Sequence, residues 1–170
     1  MNIYLDMDDV VADWRLAAED FLGIKFPNGD QWARVPDDKW LLLKGHSRFY
    51  RHLPVKAGAH ELVAWVTKYS RRTDSGLYFL SALPHGNDVP WAVQDKIWWA
   101  HDHFPHIPVF LGPYSYDKHV HCRNIGDILI DDRSSNCEEW IAAGGRAHVY
   151  KEWPECKLWL EQTLGELKSD

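Results

Sequence analysis

The sequence predicts an α/β protein built on a doubly wound, parallel, five-stranded sheet. Five short apolar stretches recur along the 170 residues, at positions 2–6, 77–80, 109–111, 128–130 and 147–150. Continuous apolar strands of this kind are typical of a sheet that is covered on both faces. Helical patterns lie between several of these stretches, and the alternation of strand and helix indicates parallel strands.

Three segments carry helix signals. Residues 89–103 repeat apolar side chains at spacings of three and four, which predicts that they share one face; these are Trp91, Val93, Ile97, Trp98 and Trp99. A helix over 135–143 is expected to be capped by Ser134 or Ser135 and ended by two glycines. A last helix is predicted over 154–167, because proline is favoured near a helix start.

Residues 15–75 interrupt this alternation. The stretch is punctuated by glycine and proline, as in FPNGD, RVPDDKW and KGHSRFYRHLP, and only a helical pattern over 57–69 is clear within it. We expect a small, mainly helical cap here, inserted into a core formed by residues 1–14 and 76–170. The chain length suits one domain with an insertion better than two full domains.

Composition argues against several classes of protein. A formal net charge of −6 and a pI near 5.9 disfavour a partner that is a nucleic-acid polymer. Cys122, Cys137 and Cys156 are widely spaced and form no CxxC pair, so neither a disulfide framework nor a thiolate zinc site is indicated, and a cytoplasmic location is expected. We expect neither a signal peptide nor a membrane span, since no apolar run approaches roughly 18 residues.

Polar side chains follow the predicted strands at the points where these end. Ligands of open α/β sheets bind beyond the carboxyl ends of the strands, where the winding reverses. Carboxylates that meet there from two strands need a cation between them, and oxygen ligands select a hard ion such as Mg²⁺. A hydroxyl and a lysine beside the metal would make a phosphate pocket. The residues are Asp6 and Asp8 after the first strand, Ser81 after the second, Lys118 before the fourth, and Asp131 and Asp132 after the fourth.

In this order the residues resemble the four motifs of the haloacid dehalogenase superfamily of phosphotransferases, whose fold is an α/β core with a cap. A closer resemblance is to the 5′(3′)-deoxyribonucleotidase branch of that superfamily, and it covers most of the chain. The segments that carry it are DMDDVVAD (6–13), FYRHLPVKAGA (49–59), LSALP (80–84), KIWW (96–99), DK (117–118) and ILIDDR (128–133).

The resemblance implies a Mg²⁺-dependent phosphomonoesterase that acts on (deoxy)ribonucleoside monophosphates through an aspartyl phosphate. Asp6 would attack phosphorus, while Asp8 would protonate the leaving oxygen and later deprotonate the attacking water. The metal ligands would be the side chains of Asp6 and Asp131 and the backbone carbonyl of Asp8. Asp132 would lie behind these ligands or contact a water on the metal. A homodimer is a further implication of the branch.

The resemblance also assigns the residues that hold the substrate. Ser81 and the N–H of Ala82 would bind phosphate oxygens, and Lys118 would link the phosphate to Asp6. Lys96 is a candidate for a second phosphate contact.

Specificity would rest on the cap, where Phe49 and Tyr50 are expected to sandwich the base. Such stacking is worth roughly 1–3 kcal/mol per base and discriminates poorly between bases. Trp14, Trp32 and Trp40 are weaker candidates, for which a place in the core of the cap is the favoured interpretation.

The sequence departs from the branch at three points. Asp9 stands where glycine is common and adds a charge beside the metal, and Ser81 replaces threonine while keeping the hydroxyl. The interval between Lys118 and the fourth motif is longer than expected, so His119 and Arg123 are alternatives for the role of that lysine.

Three other interpretations stay open at this stage. The same chemistry would suit another small phosphate ester, such as a sugar phosphate or a polynucleotide 3′-phosphate end. A catalytically inactive nucleotide-binding protein is the second. The third is a zinc site among the histidines, but His101 and His103 would point about 200° apart on a helix.

Overall fold

Five parallel strands form one sheet in the computed structural model, which describes residues 1–27, 35–46, 48–84, 89–112 and 114–166, with only the backbone of residues 115 and 116. The spatial order of the strands is β3-β2-β1-β4-β5, and every neighbouring pair is parallel. The predicted fold class is confirmed, and each predicted strand end lies within one residue of the observed end. The strands are β1 (Asn2–Leu5), β2 (Gly76–Ser81), β3 (Val109–Leu111), β4 (Ile128–Asp131) and β5 (Arg146–Val149).

The chain reverses its direction of winding beside β1, the central strand. It proceeds outward from β1 through β2 to β3, and then returns to place β4 on the other side of β1, with β5 at that edge. The crevice at the carboxyl ends of β1 and β4 is therefore the topological switch point, which is the usual ligand site of such sheets.

Helices connect and cover the strands. Two 3₁₀ helices, Phe49–His52 and Ser115–His121, lie among the described residues. The α-helices described are α1 (Trp14–Leu22), α2 (Asp37–Gly45), α3 (Ala59–Thr73), α4 (Ala92–His103), α5 (Ser134–Ala142) and α6 (Trp153–Leu164).

Helix α4 buries a different face from the one predicted. Val93, Ile97 and Trp98, three of the side chains predicted to share one face, are 39–44% exposed and so lie outside the core. The side chains that are buried instead are Ala92, Asp95, Lys96, Trp99 and Ala100. Two charged residues can point inward because each finds an oppositely charged partner there, as described below.

The predicted serine cap of α5 was also wrong. The residue at the N-cap is Arg133, with an extended backbone, and no side-chain cap is recorded at this end within the described chain. The Asp131 carboxylate accepts a hydrogen bond from Arg133 N at 3.0 Å instead. The start of α5 thus faces the polar end of the sheet, where an anionic side chain meets free backbone donors.

The inserted segment begins and ends at one place in the fold. Asp13 N donates to Pro54 O at 2.8 Å, and Lys56 N donates to Val11 O at 2.9 Å. Helix α3 follows and packs against β2 and α6. The extent of the cap over 15–75 stays a prediction.

Among the described residues no helix combines the length and the apolar character that a membrane span requires.

Candidate active site

Three carboxylates meet at the switch point. Asp6 follows β1 directly, Asp131 is the last residue of β4, and Asp132 comes next. Because β1 and β4 pair in parallel, their carboxyl ends lie side by side, and Asp6 N donates a hydrogen bond to Ile130 O at 2.8 Å. One ligand oxygen from each of the three carboxylates lies within 4.8 Å of the others. Asp6 and Asp131 are buried, whereas Asp132 is partly exposed.

The Asp131 carboxylate is held on both of its oxygens. Oδ1 accepts hydrogen bonds from Asn136 Nδ2 at 2.8 Å and from Arg133 N at 3.0 Å, and Oδ2 accepts from Lys118 Nζ at 2.6 Å. A carboxylate with three donors has its orientation fixed before any ligand arrives.

Lys118 places its ammonium between two of the acids. Its Nζ lies 2.8 Å from Asp6 Oδ1 and 2.6 Å from Asp131 Oδ2, and the side chain is 2% exposed. Burial acts to lower the pKa of Lys118, but Asp131 and Asp6 outweigh it and raise the pKa above its ordinary value. His119, one of the alternatives for this role, has its Nδ1 3.8 Å from Glu139. The structure thus places Lys118 beside the two carboxylates and His119 beside Glu139.

The acidic cluster holds more negative charge than its lysine offsets. Burial raises the pKa of Asp6 to about 7, with Asp131 and Asp8 adding to the rise and Lys118 opposing it. Burial and the neighbouring Asp131 also raise the pKa of Asp132 well above its usual range. These shifts mark a site that disfavours its own ionised form until a cation is present.

A second cluster lies around Lys96, at the end of β2. Lys96 Nζ donates to Asp8 Oδ2 at 2.5 Å and to Ser81 Oγ at 2.9 Å, and its side chain is 1% exposed. The same ammonium lies 4.7 Å from the centre of the Tyr50 ring. Asp8 Oδ1 is buried and has no hydrogen-bond partner among the described residues. A buried ammonium beside a hydroxyl is suited to binding an oxyanion.

The site residues named from sequence thus divide into two groups. Asp6, Asp131 and Asp132 gather around Lys118, whereas the side chains of Asp8 and Ser81 gather around Lys96; Ala82 follows Ser81 beyond the same end of β2.

A hard divalent cation fits the donor set. Counted with Asp8, four carboxylates meet two buried ammonium groups, which leaves two negative charges when all are ionised. Carboxylate oxygens are the ligands preferred by Mg²⁺ and Ca²⁺, and among the described residues no imidazole or thiolate joins the cluster. Within the described chain this is the one group of three or more His, Cys, Asp or Glu residues with metal-binding spacing, so the zinc interpretation finds no support there.

Asp9 adopts a backbone conformation that favours glycine. Its φ is 59°, in the left-handed region, where aspartate is tolerated better than most side chains. Its Oδ1 accepts from Arg15 N at 2.8 Å, and Asp13 Oδ1 accepts from Leu16 N at 3.2 Å. Asp9 therefore supports the start of α1, and burial raises its pKa to about 6.

The two cap aromatics named from sequence lie in different surroundings. Phe49 is 4% exposed and is enclosed by other rings, whose centroids are 5.4–6.3 Å away; these belong to Trp14, Phe21, His46 and Tyr50. Tyr50 alone of the pair faces the Lys96 ammonium. Trp40 packs against the core, and Trp32 lies outside the described residues.

Sequence reasoning missed several residues that support the site. The role of Asn136 could have been predicted, because a helix that starts just after Asp131 and Asp132 turns its first residues back toward Asp131. The roles of Asp95 and Arg48 could not, since nothing in the sequence shows that the two residues pair.

Comparison with known proteins supports the fold class. No family model and no curated protein sequence matches the chain. A solved structure does: the crystal structure of a hydrolase from Streptococcus pneumoniae TIGR4 superimposes with a TM-score of 0.53, at 12% sequence identity, over 94% of this chain and 97% of that one. The protein therefore has a Rossmann-like α/β fold that a bacterial hydrolase shares.

Proposed function

We propose that this protein is a Mg²⁺-dependent phosphomonoesterase of the haloacid dehalogenase type, acting on nucleoside monophosphates. The observation that carries the proposal is the contact of Lys118 with Asp6 and Asp131, which joins the ends of β1 and β4 at the switch point. The likeness in fold to a protein described as a hydrolase is consistent with it.

In this proposal Asp6 is the nucleophile. One Asp6 oxygen forms a bond to phosphorus as the bond from phosphorus to the ester oxygen breaks, which gives an aspartyl phosphate and an alcohol. Asp8 supplies the proton that the ester oxygen takes up. Asp8 then accepts a proton from water as the water oxygen attacks phosphorus, and the bond to Asp6 breaks to release inorganic phosphate.

The phosphate oxygens would be held by the two buried lysines and the serine. Lys118 would orient Asp6 and bind an oxygen, while Lys96 and the Ser81 hydroxyl would bind others as negative charge develops. Asp8 accepts a hydrogen bond from Lys96, so one lysine would both position the acid–base residue and bind the phosphate. Ala82 N is a further candidate donor.

Asp6, Asp131 and the Asp8 backbone carbonyl would hold Mg²⁺, with Asp132 supporting them. Bound there, Mg²⁺ would offset the excess negative charge and polarise the phosphoryl oxygens.

The substrate class rests on the resemblance and on Tyr50. This ring covers the Lys96 ammonium and comes from the inserted segment, where a base would be expected to stack. Phe49 is proposed to support Tyr50 from behind, because it is enclosed in the cap.

A substrate panel tests the proposal. We expect phosphate release from nucleoside monophosphates with Mg²⁺ and none with excess chelator. Release only from sugar phosphates, or only from polynucleotide 3′-phosphate ends, would refute the nucleotide substrate but keep the chemistry. Nucleotide binding without turnover, unchanged in Asp6→Asn, would refute the enzyme and favour the binding protein.

A further inference from the structure

Helix α4 holds the 3₁₀ helix Phe49–His52 by two adjacent pairs of residues. Arg48 Nη1 lies 2.8 Å from Asp95 Oδ1, and the Tyr50 ring lies 4.7 Å from Lys96 Nζ. Asp95 and Lys96 are neighbours on α4, and Arg48 is the N-cap and Tyr50 the second residue of the 3₁₀ helix. An ion pair and a cation–π pair therefore lie side by side between the same two elements.

Asp95 is an unusual residue to find at a helix–helix contact. Its side chain is fully buried, and its Oδ2 has no hydrogen-bond partner among the described residues. A buried carboxylate with one unsatisfied oxygen is unfavourable for stability, and an apolar residue of similar size would serve packing better. A role beyond packing would explain why a carboxylate lies there.

Arg48 is held in place by more than Asp95. Its backbone lies in the left-handed region at φ 69°, which is uncommon for a residue with a side chain, and its guanidinium lies 5.3 Å from the centre of the Trp98 ring. A strained residue persists only where its surroundings fix it, and such residues concentrate at functional sites. These two partners of the Arg48 guanidinium, Asp95 and Trp98, belong to α4, the helix that carries Lys96.

We propose that Asp95 is a positioning residue, which holds Arg48 and thereby keeps Tyr50 over the Lys96 ammonium. This inference rests on the proposed function, because it concerns the lysine assigned to phosphate binding. Asp95 is not proposed to act on Asp8 or Ser81 directly. It acts through the cap segment, and so links the cap to the phosphate pocket.

Asp95→Asn tests the proposal, because it removes the charge and keeps the shape. We expect KM for a nucleoside monophosphate and Kd for inorganic phosphate, measured by calorimetry with Mg²⁺, to rise about tenfold, which is the scale of losing one desolvated cation–π contact. We expect kcat to change far less. In a Tyr50→Leu background the same substitution should leave KM and Kd unchanged, because the ring it positions is gone.

Asp102→Asn is the matched control. Asp102 pairs with Arg51 between the same two elements, but its side chain is 48% exposed and the pair lies at the far end of α4. We expect KM and phosphate affinity of this variant to stay within about twofold of the parent protein, as is usual for exposed ion pairs.

Two results would overturn the inference. One is a loss of melting temperature in Asp95→Asn with KM and phosphate affinity unchanged, which would indicate packing alone. The other is a double variant in which KM and Kd rise by the product of the increases in Asp95→Asn and Tyr50→Leu, because the two residues would then act independently. A parent protein that binds phosphate without hydrolysing esters would refute the proposed reaction, and the phosphate affinities would still decide the role of Asp95. A parent that does neither would refute both proposals.

Discussion

The Lys118 ammonium lies 2.8 Å from the carboxylate of Asp6, and the two residues come from different connections of the sheet. Both side chains are almost completely buried, so each charge relies on the other rather than on water. The same ammonium reaches Asp131, and its loss would leave two buried acids without their cation.

Lys118→Met should impair both activity and stability. We expect kcat to fall about 10²–10³-fold, as for the loss of one oxyanion donor. Breaking a buried pair costs about 3–5 kcal/mol, and the metal-free protein should lose free energy of unfolding on that scale. Steady-state kinetics and urea denaturation measure the two effects. Lys157→Met, at an exposed pair with Glu161 on α6, is the control, and equal effects of the two variants would contradict the assignment.

Asp6→Asn should separate chemistry from folding. We expect turnover to fall to about one-thousandth or less, because the nucleophile is lost. Burial raises the pKa of Asp6 from 3.8 to about 7, so its stabilising contribution is full below pH 4 and is lost as the pH rises through 7. The metal-free variant should therefore be at least as stable as the parent at pH 8. A large loss of melting temperature at pH 8 would contradict this account of Asp6.

Mg²⁺ should stabilise the protein more at higher pH. Protons and the cation compete for the same carboxylates, and the raised pKa values of Asp6 and Asp132 place that competition near neutrality. We expect the rise in melting temperature on adding MgCl₂ to be larger at pH 8 than at pH 5.5. The control is NaCl at equal ionic strength, which should give little rise at either pH. An equal Mg²⁺ effect at both values would exclude these acids as the binding site.

Much of the fold and the site follows from one-dimensional patterns. Strands buried on both faces are continuous apolar runs, and the parallel sheet then brings their carboxyl ends to one edge, so Asp6, Ser81 and Asp131 could be placed from sequence. The buried side of α4 could not be predicted from sequence, because periodicity assigns charged residues to the surface. Asp95 and Lys96 are buried because each pairs with an oppositely charged residue that is distant in the sequence.

Neighbouring cap aromatics show a second limit of sequence reasoning. In a 3₁₀ helix adjacent residues point about 120° apart, so two consecutive rings cannot both be assumed to face one site. Phe49 turns into the cap, and Tyr50 turns to Lys96. Nothing in the pair FY itself indicates which ring takes which direction.

Asp9 should be tolerant of glycine and asparagine but not of valine. Asp9→Val places a β-branched residue at φ 59°, a strain of about 1–3 kcal/mol, and it removes the acceptor for Arg15 N. Asp9→Gly removes the acceptor but suits the left-handed backbone, so the loss should be only a few tenths of a kcal/mol. Asp9→Asn keeps an acceptor, and at pH 7.5 it should match or exceed the parent because burial raises the pKa of Asp9. Urea denaturation ranks the three, and a valine variant as stable as the asparagine variant would contradict the prediction.

Phe49→Ala should act on stability rather than on substrate choice. Removing a ring enclosed by four others leaves a cavity, and we expect a loss of about 3–5 kcal/mol in the free energy of unfolding. Phe49→Leu fills most of that space, so it should fold at 25 °C and allow kinetics. Its ratio of kcat/KM between purine and pyrimidine monophosphates should equal that of the parent, because Phe49 does not face Lys96. A changed ratio in Phe49→Leu would show that this ring, and not Tyr50 alone, contacts the base.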